Sequence, residues 1–230
     1  MNICKELVSL IDIRLSEVLG LRDRITKKDD DSYVSEGDLL VQAIVVDYVR
    51  EYLPEHELIS EELAPFGERN WDPLGSYVVL DPIDGTENFV SGLREWGVGI
   101  SIYTDGQHQE SCIYLPELNE VQITGMPIRK FHSRIHGLSS SLTKNDLQQL
   151  PDLGFEFRII GCSMYNTLAA VRGAFAVFEN VKGVNCWDIL PGLNLALEHG
   201  CQVSVDDHPY SGQILFPQRK YKIRISNLEL

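Results

Sequence analysis

The segment Asp81-Pro82-Ile83-Asp84-Gly85-Thr86 is the most chemically informative in this chain. Two carboxylates three residues apart on a proline-stiffened turn can converge on hard cations, and the Ile83 carbonyl between them is a further oxygen ligand. Gly85 and Thr86 would then open a helix with backbone N–H groups suited to phosphate oxygens, making metal and phosphate neighbours. The same residues also fit an ordinary type I turn with capping aspartates. Further acidic groups stand at comparable places. Glu61-Glu62 closes a short β-rich run, and Trp187-Asp188 opens a late helix, each where sheet meets helix, the usual binding edge of layered α/β folds. Singly, Glu61-Glu62 fits a solvated charge pair, Asp188 a helix start shared with Asn185, and Asp38 a capping box with Ser35. Together they form an ordered set.

Those groups need elements to hold them. Ile3, Leu7, Leu10, Ile11, Val18 and Leu19 recur at helical spacing and predict one amphipathic helix over residues 3–19. Lys27 to Asp31 reads as a charged turn. Ser35 and Asp38 head the apolar run Leu39 to Leu53, which Pro54 closes. Leu58 to Ser60 and Tyr77 to Leu80 read as short strands. Val98, Ile100 and Ile102 alternate with Gly99, Ser101 and Tyr103, and with Ser111 to Leu115 and Glu120 to Thr124 they predict an antiparallel meander. Residues 126–153 read as loop with a short helix from about Thr143. Strand Phe155 to Ile160, helix Ser163 to Arg172, strand Ala176 to Glu179 and helix Trp187 to His199 complete a second half. The expected organisation is an α+β half, 1–125, carrying the acidic signature, and an α/β half, 126–230, completing the site within one compact unit.

Composition narrows the partners. Lys and Arg number 20 against 34 Asp and Glu, a formal charge of −14 that repels a nucleic acid backbone unless metal ions intervene. No apolar run approaches the roughly 18–20 residues of a membrane span, so neither a membrane nor a nucleic acid is an expected partner. Cys4, Cys112, Cys162, Cys186 and Cys201 are scattered and never form a C-x-x-C pair, which disfavours a zinc site or a disulfide framework. With no export-signal pattern at the N-terminus, the cytoplasm is the expected location.

Leu80-Asp81-Pro82-Ile83-Asp84-Gly85-Thr86-Glu87-Asn88-Phe89 resembles the D-P-[IL]-D-G-T-x-N-F signature of the inositol monophosphatase family, among the magnesium-dependent, lithium-sensitive phosphatases. Ser60-Glu61-Glu62 is similar to its G-E-E, Trp187-Asp188 to its W-D, and Val34-Ser35-Glu36-Gly37-Asp38 to its V-T-x-x-D. The resemblance runs from about Lys27 to Val203. It implies an α/β (α+β) fold, the layered αβαβα sandwich of the inositol monophosphatase and fructose-1,6-bisphosphatase type, commonly a homodimer. It also implies two or three Mg2+ ions held by Glu61, Asp81, the Ile83 carbonyl, Asp84 and Asp188. The implied mechanism is in-line attack on phosphorus by a metal-activated water that Glu61 and Thr86 position, with Asp38 accepting from the Thr86 hydroxyl. Asp84, Gly85, Thr86 and Asp188 would border the phosphate. Cys162, Ser163, Glu179, Lys182 and Asn185 would read the alcohol, and a gapped alignment puts Glu179 at the polyol position where an ungapped one puts Lys182.

The activity implied is hydrolysis of an inositol or sugar phosphate, a small phosphorylated metabolite. The alternatives are 3′-phosphoadenosine 5′-phosphate, histidinol phosphate or fructose 1,6-bisphosphate as substrate, or a non-catalytic metal-binding relative. The chain departs from the family pattern at Ser60 for glycine, at Glu87, where threonine or lysine is frequent, and at Glu198-His199-Gly200-Cys201 for E-A-G-G.

Overall fold

The computed structural model describes residues 2–28, 32–149 and 154–227. In chain order the elements are α1 (Ile3–Ile13), α2 (Leu15–Gly20), β1 (Ile25–Lys27), β2 (Tyr33–Ser35), α3 (Glu36–Tyr52), β3 (Glu57–Ser60), β4 (Tyr77–Asp84), α4 (Thr86–Val90), β5 (Gly97–Thr104), β6 (Gln107–Leu115) and β7 (Glu120–Ile123). They continue with β8 (Ile135–Leu138), α5 (Lys144–Gln148), β9 (Glu156–Ile159), α6 (Ser163–Val171), β10 (Val177–Val184), α7 (Cys186–Glu198), β11 (Gln202–Val205), β12 (His208–Pro209) and β13 (Tyr221–Ser226).

The layered α/β architecture is observed. A five-stranded sheet runs β3-β4-β5-β6-β7 and a six-stranded sheet runs β12-β11-β13-β10-β8-β9. The first sheet is buried on both faces. Leu7, Ile11 and Val18 of α1 and α2 and Val41 and Val45 of α3 pack on Val78, Leu80, Ile100 and Ile102. The alternate residues Val79, Tyr103 and Ile113 face Met164, Leu168, Ile189 and Leu193 of α6 and α7. Phe178, Ile223 and Ile225 of the second sheet close the same core from the far side. Helices α6 and α7 thus lie between two sheets, and both faces of each helix are apolar because both are covered.

One expected helix is two. The break falls at Arg14, an exposed residue three positions beyond buried Ile11, and α2 restarts to bring Val18 back to the core. The cap of α3 is present in full, with the Ser35 hydroxyl oxygen accepting from Gly37 N and Asp38 N and Asp38 Oδ2 accepting from Ser35 N at 2.9 Å. Of the charged turn read at 27–31, residues 29–31 lie outside the described residues, as do residues 150–153 of the stretch read as loop. That stretch also contains β8, a parallel neighbour of β10. Among the described residues no helix is long and apolar enough to cross a membrane. All five cysteines are buried and unpaired.

The largest departure concerns β4. The sequence ends it at Leu80 with a turn to follow, whereas the strand runs on through Asp84. Asp81 opposes Gly99 and Asp84 opposes Gly97, so three steps on β4 match two on β5. Side chains three apart on a regular strand point to opposite faces; the extra residue restores parity and lets both aspartates turn inward. Pro82 sits in that irregular step, where its missing N–H costs the ladder little.

Candidate active site

The acidic residues collect at the carboxyl ends of the parallel pair β3 and β4. Glu61 follows β3, Asp81 and Asp84 end β4, and Asp188 stands in the first turn of α7. Glu61, Asp81 and Asp188 each present an oxygen within 4.8 Å of the others. Asp81 is fully buried, and neither of its carboxylate oxygens has a hydrogen-bond partner among the described residues. A buried carboxylate left without partners costs several kcal/mol, which a cation would offset. An all-oxygen donor set suits a hard ion such as Mg2+ or Ca2+, so the residues present fit the metal that the sequence implies.

Three helix N-termini partly offset the crowding of charge. Asp38 occupies the capping box of α3, Asn185 N donates to Asp188 Oδ2 at 2.8 Å at the start of α7, and Asp84 Oδ2 accepts from Met164 N and from the Cys162 thiol at the start of α6. Each helix dipole favours the carboxylate that it meets. Burial still dominates. It raises the Asp38 pKa to about 6 against the Ser35 hydrogen bonds, and that of Asp84 to about 7 against Cys162 and Met164. Burial followed by the Glu61 charge pushes Asp81 and Asp188 well above the usual carboxylate range.

Thr86 links these groups. Its hydroxyl lies 3.0 Å from the Ile83 carbonyl and 3.3 Å from Asp38 Oδ1, and its single proton serves both acceptors. Asp38 is therefore both helix cap and Thr86 partner. Gly85 joins Ile83 and Asp84 to this helix start with φ +83°, a left-handed conformation, and a Cβ there would come within 3.0 Å of the Cys162 Cβ. Glycine meets both demands. Asn88 donates to the Glu95 and Ile160 carbonyls at 2.7 and 2.8 Å, so this signature residue braces the loop leading into α6.

Two cavities flank the acidic centre. One, of about 240 Å3, is lined by Asp84, Asp188, Ser139, Ser141, Cys162, Ser163, Asn180, Asn185 and Lys220 among others. The other is an open groove of about 830 Å3 bordered by Lys28, Glu61, Glu62, Phe66, Trp71 and Trp187. Cys162, Ser163 and Asn185 line the first. Glu179 and Lys182 do not. The Glu179 carboxylate lies 3.1 Å from His136 Nε2 and 3.0 Å from Arg224 Nη1, and Lys182 is tied to Asp146 at 2.8 Å. Strand alternation gives the reason: Phe178 and Asn180 face the cavity, so Glu179 between them faces away.

Sequence reasoning missed Lys28, whose ammonium lies 2.9 Å from Glu61 and 2.8 Å from Glu62. Burial alone would lower the Lys28 pKa, and the two glutamates outweigh it. Burial raises Glu62 to about 7 despite Lys28. Asn180 and Lys220 were also missed; the latter sits in a basic stretch, Arg219-Lys220-Tyr221-Lys222, that gives no local sign of facing a cavity.

The chain has clear relatives. A curated fructose-1,6-bisphosphatase/inositol-1-monophosphatase from Thermotoga maritima is 26% identical over 203 residues, covering 80% of this chain and 76% of that protein. A Nus factor SuhB from Pasteurella multocida is 26% identical over 203 residues, covering 76% and 72%. A calcium-bound protein of the same fold from Staphylococcus aureus superposes with a TM-score of 0.79 at 19% identity, covering 97% of this chain and 89% of that one. The model of the inositol monophosphatase family matches residues 4–209, which include every acidic residue of the centre, and the chain belongs to that family.

Proposed function

We propose that the protein is a divalent-metal-dependent phosphomonoesterase, with Mg2+ as the working ion and an inositol or sugar phosphate as substrate. A cytoplasmic homodimer is part of this reading. The observation that carries it is Asp81, a buried carboxylate with both oxygens unpartnered beside Glu61 and Asp188. The curated bisphosphatase/monophosphatase relative supports phosphoryl chemistry, and solved structures of the fold with Mg2+ and phosphate, or with D-inositol-1-phosphate, support the ligand class.

Glu61, Asp81, Asp84, Asp188 and the Ile83 carbonyl would hold the ions. Bound there, the metal supplies Lewis acidity toward a water nucleophile and neutralises charge on the phosphate and leaving alkoxide. The chain's own groups provide direction. By donating its proton to Asp38 or Ile83, the Thr86 hydroxyl keeps its lone pairs free to accept from an attacking water, and Glu61 fixes that water's other side. Gly85 and Thr86 offer backbone N–H groups to phosphate oxygens. Asn185 and Ser163 line the smaller cavity, where they would border the leaving alcohol.

The test is phosphate release by purified protein with and without Mg2+ over inositol 1-phosphate, fructose 1,6-bisphosphate, histidinol phosphate and 3′-phosphoadenosine 5′-phosphate. Metal-dependent release from at least one is expected. Saturable Mg2+ binding with no hydrolysis of any ester would leave a metal-dependent binding protein in its place.

A further inference from the structure

We propose that Lys220 selects substrates carrying a second anionic group, phosphate or carboxylate, which it holds at the rim between the two cavities; this rests on the phosphomonoesterase reading above. Asn185 and Lys220 are the residues that border both cavities. The rim therefore meets any ligand whose ester phosphate lies at the acidic centre and whose far end reaches out of the smaller cavity.

Lys220 differs in one respect from Lys28 across the larger cavity and from the cations on its own and the neighbouring strands. Lys28 is bound by Glu61 and Glu62, Lys182 by Asp146, Arg219 by Asp206 at 2.6 Å and Arg224 by Glu179. Lys220 forms no ion pair among the described residues and its side chain is exposed. In a chain of net charge −14, an ammonium left without a carboxylate beside a concave site focuses attraction on an incoming anion.

The backbone fixes Lys220 there. On β10 the pairing with β13 shifts between Asn180 and Val184, and Val184 then opposes Tyr221. Gly183 lies in this irregular step at φ +95°, and a Cβ on it would come within 3.1 Å of the Lys220 Cβ. Only a residue without a side chain lets the two segments approach so closely at that φ. The Tyr221 hydroxyl donates to the Phe216 carbonyl at 2.9 Å and accepts from Phe216 N at 3.0 Å, closing the loop that carries Lys220. A lysine on a clamped loop loses less freedom on binding than one on a mobile tail.

Calorimetric binding to the wild type, Lys220→Gln and Lys220→Arg tests the proposal, with Ca2+ in place of Mg2+ as a larger ion that holds the ester without efficient turnover. Fructose 1,6-bisphosphate carries a second phosphate, 6-phosphogluconate a carboxylate, and inositol 1-phosphate neither. Lys220→Gln is expected to weaken the first, the second or both by about tenfold at low salt, and inositol 1-phosphate by less than about twofold. Lys220→Arg should restore the loss, and high salt should narrow it. Equal effects on all three ligands, or none on either ligand with a second anionic group, would overturn the role of Lys220. If the wild type binds none of the three, the inositol or sugar phosphate reading falls, and this inference with it.

Discussion

Glu179 on β10 and Asp81 on β4 are treated oppositely. Glu179 lies between His136 and Arg224, and its carboxyl is held below the usual range, first by the nearby His136 imidazole and then by Arg224. Asp81 has no hydrogen-bond partner for either oxygen among the described residues, and burial with the neighbouring acids holds its carboxyl well above that range. The side chains differ by one methylene, and among the described residues the fold brings an arginine to one and no cation to the other. An acid whose partners come from its own chain completes a structure; an acid whose partners are missing from the chain is poised for something from outside. Helix N-termini soften the second case at Asp38, Asp84 and Asp188, and they leave Asp81 untouched.

The sharpest break in that comparison is removal of the unpartnered charge. Asp81→Asn should lower Mg2+-dependent turnover by about a thousandfold or more, since one carboxylate of the ion site is gone. It should also raise the melting temperature of the metal-free protein toward high pH, where the Asp81 carboxyl would otherwise ionise among its acidic neighbours. Asp84→Asn should lose activity comparably without that gain, as its carboxylate already accepts from Met164 N and the Cys162 thiol. Thermal melts with and without Mg2+ beside a rate assay decide both; a metal-free Asp81→Asn protein that melts lower than wild type would make Asp81 a structural acid like Glu179.

The next effect is on stability against pH. Asp38 at about 6 and Asp84 and Glu62 at about 7 lie above their unfolded values near 4, so the folded chain keeps protons that the unfolded chain releases. The stability these groups contribute is complete below about pH 4 and is lost as pH rises to about 7. A divalent cation counters that loss. The melting-temperature gain on adding saturating Mg2+ should therefore be larger near pH 8 than near pH 5, whereas a gain independent of pH would mean that the ion binds away from these acids.

Glu179→Gln probes the opposite member of the pair. Loss of the half-buried contacts to His136 and Arg224 should destabilise the fold by about 1–3 kcal/mol in urea unfolding, with kcat and KM within about twofold of wild type. Activity falling with stability unchanged would return Glu179 to the substrate pocket.

How much of this was legible depended on the range of the interactions. Ser35 and Asp38 are a local device, read at four-residue range and found intact. The acidic motif from Asp81 to Phe89 was readable as a resemblance, yet its geometry was not: Pro82 signals a turn, and only pairing with Gly97 and Gly99 of β5 turns the segment into a bulged strand. The orientation of Glu179 hangs on β10 meeting β13, more than forty residues away. Lys28 reaches Glu61 by way of the β1–β2 hairpin, a pairing too short to leave a hydrophobic pattern. The alternation of Tyr221, Ile223 and Ile225 with Lys222 and Arg224 does predict a strand, as does that of Val203 and Val205 with Gln202 and Ser204.

Glu87 gives the smallest expected effect and the finest test of the distinction between acids. It is the family departure nearest the acidic centre, and as a buried group it would repel a phosphate. It is instead exposed on the first turn of α4, where water and salt screen its charge and the helix N-terminus favours it. Glu87→Gln should change kcat/KM by less than about threefold at low salt, and the difference should vanish as ionic strength rises. A salt-insensitive gain of about tenfold or more would mean that the carboxylate acts across a low-dielectric path to the phosphate. The division between acids would then follow distance from the metal centre rather than burial and pairing.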